Sequence, residues 1–203
     1  MNIRYILAKW LLKNNEKYDI IRREDVFLIT CKQKNKKTSY TETKLTEGIQ
    51  EKGVAELMCK ASEIGKIVVN KCIEQGFEIN TQKLQKLLVL IQIECIEQSG
   101  FPFFTEDVRI WECGVAIKEV DEDFRANGAG FFEPQQIQVV LLKSEEQYID
   151  EILQKHGQKT AAEINKLPQI QKVLELGEIR EGDTVSHVSA EKLTEKFAHR
   201  YGT

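Results

Sequence analysis

Cysteine pairs are the first thing this chain lacks. Cys31, Cys59, Cys72, Cys95 and Cys113 are spread singly along 203 residues. No two stand at the short separation that a zinc knuckle or a redox motif requires. The number is odd, and three of them lie among apolar neighbours on expected helices or beside Trp111, so free buried thiols in a reducing compartment are expected. Histidine is equally sparse: His156, His187 and His199 are scattered in the last third, with no cysteine near any of them in sequence. A Cys–His catalytic pair would therefore need a tertiary coincidence. Charge of one sign is missing too, since the net charge is −3 although charged residues make up 30% of the chain. There is thus no global electrostatic bias towards nucleic acid or an anionic membrane.

Long apolar runs are absent as well. The run from Leu87 to Ile93 is interrupted by Gln92 and is far shorter than the roughly 20 residues of a membrane span. The opening Met1-Asn-Ile-Arg-Tyr-Ile-Leu-Ala-Lys-Trp10 is broken by Arg4 and Lys9 and has no small-residue cleavage site, which argues against a secretory signal. A cytoplasmic protein without membrane contact is expected. Glycine-rich phosphate loops, a nucleophile elbow and paired catalytic carboxylates are all lacking. The acidic run Glu119–Phe124 has neither the alternating ligands nor the central glycine of a calcium loop, and reads as a solvated helix face around Val120 and Phe124. The residues thus suggest a binding module rather than an enzyme, with no metal and no cofactor.

What the chain does have is hydrophobic residues, 41% of the total, patterned for helices. Asn80-Thr-Gln-Lys-Leu-Gln-Lys-Leu-Leu-Val-Leu-Ile-Gln-Ile-Glu-Cys-Ile96 is apolar around most of a helical circumference, which predicts the central element of a core. Asn80 or Thr81 is the expected cap and Gly100-Phe101-Pro102 the expected end. Before it, residues 54–75 place Ile64, Ile67, Val68, Cys72 and Ile73 on one face, and Gly76 is a plausible stop. Beyond it, Trp111-Glu-Cys-Gly114 reads as an irregular segment packed against the central helix. No single period fits residues 105–125, where a loop or short strand leading into a helix is expected.

Further along, Asn127-Gly-Ala-Gly is a turn and Ile137–Leu142 has the look of a short buried strand. Residues 145–156 form a helix, with His156 at its end, where a protonated imidazole favours the exposed carbonyls. Thr160-Ala-Ala-Glu163 has capping-box spacing and should start a short helix that runs up to Pro168. Ser189 should cap a final helix carrying Leu193, Phe197 and Tyr201.

The first fifty residues have another character. Ile3, Ile6, Leu7, Trp10 and Leu11 make a helical stripe, and Val26–Cys31 is β-branched and strand-like. With Thr38–Thr41 this strand predicts a β-hairpin whose tip carries Lys32, Lys34, Lys36 and Lys37. Such a tip either touches phosphates or protects a strand edge from aggregation. The fold expected is mainly α: a single-core helical domain over residues 54–203, around a buried central helix. Residues 1–53 would be a small N-terminal α+β extension containing the β-hairpin.

From about residue 62 to 200 the chain resembles the Panacea domain, the SocA-like, phage-associated antitoxin family. The resemblance rests on a helix of small and aliphatic residues, Ala61 to Cys72, and on the unbroken Lys83-Leu84-Gln85-Lys86-Leu87-Leu88. Gly100-Phe101-Pro102-Phe103-Phe104, Trp111 with Gly114, Val120 with Phe124, Ile149–Leu153, Lys155–Gly157, Glu163-Ile164 and Val188-Ser189 then follow in the family's order. The family's usual Tyr-Gly-Pro-Val is here Cys113-Gly114-Val115-Ala116. The resemblance implies a protein that neutralises a toxin by direct binding. In some members it presents the toxin for proteolysis, which would make a host protease an indirect partner. Lys83, Lys86, Trp111, Gly114 and Glu119 are the candidate partner-binding residues. The alternative is a nucleic-acid-binding regulator acting through the basic tip at Lys32, Lys34, Lys36 and Lys37.

Overall fold

A computed structural model describes residues 18–23, 26–31, 59–112, 114–125, 132–137, 139, 141, 143–179 and 185–198. Among them the chain is mostly helical with one small antiparallel sheet. It divides into two units, residues 2–58 and, with Met1, residues 59–203. In the first unit, β1 (Tyr18–Arg23) pairs antiparallel with β2 (Val26–Cys31), Tyr18 opposite Cys31 and Arg23 opposite Val26. The expected strand at Val26–Cys31 is present, but its partner precedes it in sequence rather than following at Thr38–Thr41. Lys32, Lys34, Lys36 and Lys37 therefore do not form the connection between these two strands. They lie outside the described residues, as do the stripe at residues 2–13, the turn at Asn127, His199 and Tyr201.

The second unit is organised by α2 (Thr81–Ser99), which starts at the Asn80 cap and ends at Gly100, in the left-handed conformation with φ 77°. The Asn80 side chain accepts from the Lys83 amide at 2.9 Å, satisfying one of the free donors of the first turn. Buried residues occupy every side of this helix, as its sequence predicts, because neighbours surround it. It touches α1 (Ala61–Glu74), α3 (Lys118–Phe124), α4 (Lys143–His156), α5 (Ala161–Asn165), α6 (Pro168–Glu175) and α7 (Ala190–Phe197). Leu84, Leu87, Leu88, Val89, Ile91, Cys95 and Ile96 are fully buried.

The caps follow the sequence closely. Thr160 and Glu163 form the capping box of α5, and Ser189 caps α7 through the Lys192 amide. Pro168, expected only as a stop, also opens α6 from its first position, where its missing N–H removes no helical bond. Helix α1 has no local cap. Its Ala61 amide donates instead to Glu106 Oε1 at 2.9 Å, 45 residues away. Burial raises the Glu106 carboxyl above the usual carboxylate range, against the pull of that bond. On α1, Ile64, Ile67, Val68 and Cys72 are buried as expected, whereas Ile73 is partly exposed.

Residues 105–125 lack a single period because two structures meet there. β3 (Val108–Trp111) and β4 (Gly114–Ile117) form an antiparallel hairpin, and α3 follows at once, burying Val120 and Phe124. β3 also pairs with β6 (Ser186–Val188), which pairs with β5 (Glu178–Ile179), giving the order β4-β3-β6-β5. The strand expected at 137–142 is not found among the described residues there. Gln135 is tethered to α1 instead, its amide donating to Asn70 Oδ1 at 2.7 Å and its carbonyl accepting from Asn70 Nδ2 at 2.8 Å.

Where α4 ends, Gly157 lies against the Phe77 ring. A Cβ there would stand 2.4 Å from two ring carbons and 2.5 Å from the Leu153 carbonyl oxygen. Because one of those neighbours is backbone, Gly157→Ala is expected to cost about 1–3 kcal/mol, in the range of overpacked cores. Urea denaturation would show the midpoint falling with an unchanged slope; an unchanged midpoint would mean that Phe77 swings away freely.

Candidate functional site

Strand alternation sorts the hairpin into two faces. Val108, Val115, Ile117 and Val188 point into the core and are buried. Arg109, Trp111, Ala116, Glu178 and His187 belong to the opposite face by register. Trp111, expected to pack on the central helix, is therefore 48% exposed. Phe103, Phe104 and Val108 are buried in the core instead. In sequence a lone tryptophan beside an apolar helix reads as core; only the pairing register reveals that it faces outward.

Trp111 pairs directly with Gly114 across the two-residue connection. Gly114 has φ +110°, and a Cβ built on it would meet Asn165 Oδ1 at 2.2 Å. Glycine is needed twice over at this position, for its backbone conformation and for the close approach of α5. Asn165 Oδ1 is buried there with no hydrogen-bond donor. The hairpin end that carries Trp111 is thus braced from behind by α5. Glu119, in the first turn of α3, is exposed, and its charge helps to raise the Glu106 carboxyl.

Lys83 and Lys86 belong elsewhere. They are 5% and 3% exposed, so neither is available as a surface contact. Lys83 Nζ donates to the carbonyls of Glu78 at 2.5 Å and Gly157 at 2.6 Å, joining two loops. Lys86 Nζ approaches the Gln82 carbonyl at 3.5 Å. Two glutamines on the same helix do similar work and were not singled out by sequence reasoning. Gln85 accepts from the Ile117 amide at 2.8 Å and donates to its carbonyl at 3.3 Å, holding β4 to α2. Gln92 accepts from the Phe103 and Phe104 amides at 2.7 and 3.2 Å and donates to the Phe104 carbonyl at 2.8 Å. The available signal was a polar amide inside a helix apolar on all sides, where only a buried partner makes it tolerable.

Of the five residues expected to bind a partner, the fold brings together only Trp111 and Gly114. His156 departs from expectation as well. It ends α4 as foreseen, but burial, then Lys159 and Lys155, pull its imidazole below the ordinary histidine range, towards the neutral form. Cys59, Cys72 and Cys95 are buried free thiols. Among the described residues no three His, Cys, Asp or Glu side chains gather as a metal site. Nor is any described helix long and apolar enough to cross a membrane. Compared with protein-family models, curated proteins and solved structures, the chain matches none.

Proposed function

We propose that this chain is a neutralising protein of the antitoxin kind, acting by binding a protein toxin and covering its working surface, with Trp111 at the centre of the contact. The observation that carries this reading is the half-exposed Trp111 side chain on a braced hairpin end. Tryptophan is among the residues most enriched at energetic centres of interfaces, and a rigid mount reduces the ordering cost of binding. Arg109, on the same face of the same strand, is another residue type favoured there. The resemblance to the Panacea domain, strongest at Lys83–Leu88, supports the same reading. Those residues build the scaffold, so the partner would be selected by the outer sheet face and by Glu119 rather than by Lys83 or Lys86. Inhibition by coverage needs no chemistry from this chain. In the cytoplasm such a complex is also open to a host protease acting on the toxin.

The test is co-expression with the product of the neighbouring reading frame. The chain is expected to restore growth and to copurify with that product. Trp111→Ala should keep the wild-type melting temperature yet weaken the complex by about 2 kcal/mol, roughly 30-fold in Kd. A folded Trp111→Ala variant that rescues and binds like wild type would remove the hairpin from the interface. Steep loss of affinity for nucleic acid with added salt, without any protein partner, would favour the regulator instead.

A further inference from the structure

Beside the buried lysine of α2 lies a cavity of about 450 Å³, between the loop that joins α1 to α2 and the loop that joins α4 to α5. Phe77, Ile79, Asn80, Lys83, Lys159 and Thr160 are among its walls. We propose that it binds a small molecule bearing an oxyanion, a carboxylate or a phosphate, recognised by Lys83.

The argument starts from a cation in a poor place. Lys83 sits in the first turn of α2, where the positive end of the helix dipole disfavours a second positive charge, and no acidic residue occupies that turn. It is 95% withdrawn from water by its 5% exposure. A buried ammonium is costly unless it is paired. Its two bonded partners are carbonyls, from Glu78 and Gly157, and an ammonium carries three N–H groups. The Glu78 charge favours the ammonium from a distance, but Glu78 meets Nζ through its backbone and not through its carboxylate. Cys72, the other group that acts on it, cannot supply an anion, because burial pushes its thiol up to about 11. Desolvation accordingly lowers the proton affinity of Lys83.

An oxyanion in the adjoining cavity would supply the missing countercharge. Lys159 adds a second positive charge to the wall, with its own Nζ held by the Lys155 carbonyl at 2.8 Å, so the two lysines outweigh the single carboxylate of Glu78 that also lines the cavity. The volume lies in the range of small-molecule sites and exceeds what a bare inorganic anion fills. The Phe77 ring offers an apolar surface for the remainder of the ligand. None of this depends on the toxin-binding reading, since the cavity adjoins α4 and α5 at loops that the Trp111 hairpin does not form.

Calorimetric titration of the full chain with inorganic phosphate, and separately with acetate, at constant ionic strength provides the test. Saturable binding of one or both is expected, and the comparison tells a phosphate site from a carboxylate site. Gln158→Glu places a negative charge at the exposed lip without removing a bond and should weaken binding at least tenfold. Gln136→Glu, the same change on an exposed residue outside the cavity, should leave it unaltered. Lys83→Met should abolish binding, and Gln158→Glu keeps the test intact if that variant does not fold. Absence of saturable binding, or equal weakening by the two glutamine variants, overturns the proposal. So does loss of the neighbouring gene product's affinity in Gln158→Glu with no response to either free anion, since the carboxylate would then come from a protein.

Discussion

Gln92→Leu is expected to destabilise the protein by about 3–5 kcal/mol, more than any other single change proposed for it. Leucine matches the volume and suits the apolar surroundings of α2, so a hydropathy argument would call the change neutral or favourable. The hydrogen bonds decide otherwise. Gln92 is fully buried and is the partner of three backbone groups, the amides of Phe103 and Phe104 and the carbonyl of Phe104. Each group left buried without a partner costs about 1–3 kcal/mol, less than additively because the segment can relax. The sum is a large part of the roughly 5–15 kcal/mol that holds a typical domain together. Gln92→Glu separates the contributions: both of its forms keep the acceptor for the two amides, but only the neutral acid has an O–H to donate to the Phe104 carbonyl, while the ionised form loses that donor and adds a buried charge. Its loss should therefore grow as pH rises and the carboxyl ionises, whereas the loss in Gln92→Leu should not depend on pH. Guanidinium titrations of the three proteins measure both effects. A loss below about 1 kcal/mol in Gln92→Leu would mean that water reaches the 103–104 backbone.

This contrast marks how far the sequence could be read. The positions of α1, α2, α4, α5 and α7, the caps of α2, α5 and α7, and the buried sides of α2 were legible because they depend on local periodicity and on residues such as Asn80, Gly100, Thr160 and Ser189, whose roles are set within a few positions, whereas α6 was not. The sheet was not legible, because its strands are two to four residues long and draw on segments nearly eighty residues apart, Val108–Trp111 and Ser186–Val188. A period of two cannot declare itself in so few residues. The roles of Lys83 and Trp111 were exchanged for a different reason. Hydropathy places lysine outside and tryptophan inside, and both preferences are averages over contexts. Here a lysine reaches two loop carbonyls that need donors, while the alternation of β3 gives the inward places to Val108 and Ile110 and leaves Trp111 facing out. Glu106 capping α1 from 45 residues away is a third case in which the partner is set by tertiary structure.

Gly114→Ala is expected to cost about 2–4 kcal/mol and to weaken partner binding along with stability. Two effects contribute. A φ of +110° lies where a residue with a Cβ is strained, worth about 1–3 kcal/mol. The new methyl would also start 2.2 Å from Asn165 Oδ1, so the Asn165 side chain must turn away or α5 must shift. The two effects can be separated because only the second involves Asn165. Asn165→Ala alone should be close to neutral, since its buried Oδ1 has no donor to lose. In the double variant Gly114→Ala/Asn165→Ala the contact is gone and only the backbone strain remains, so about 1 kcal/mol should be recovered relative to the sum of the single changes. Strict additivity would show that Asn165 yields without cost and that strain alone requires glycine. Because Gly114 is the register partner of Trp111, relief of the strain by a shift of the turn would move the indole. With Trp10 replaced by phenylalanine, the fluorescence of Trp111 reports that movement directly. Wild-type affinity for the partner despite an altered Trp111 spectrum would exclude a binding role for a precisely held indole, while recovery of both signals in the double variant would tie the brace from α5 to recognition at the hairpin end.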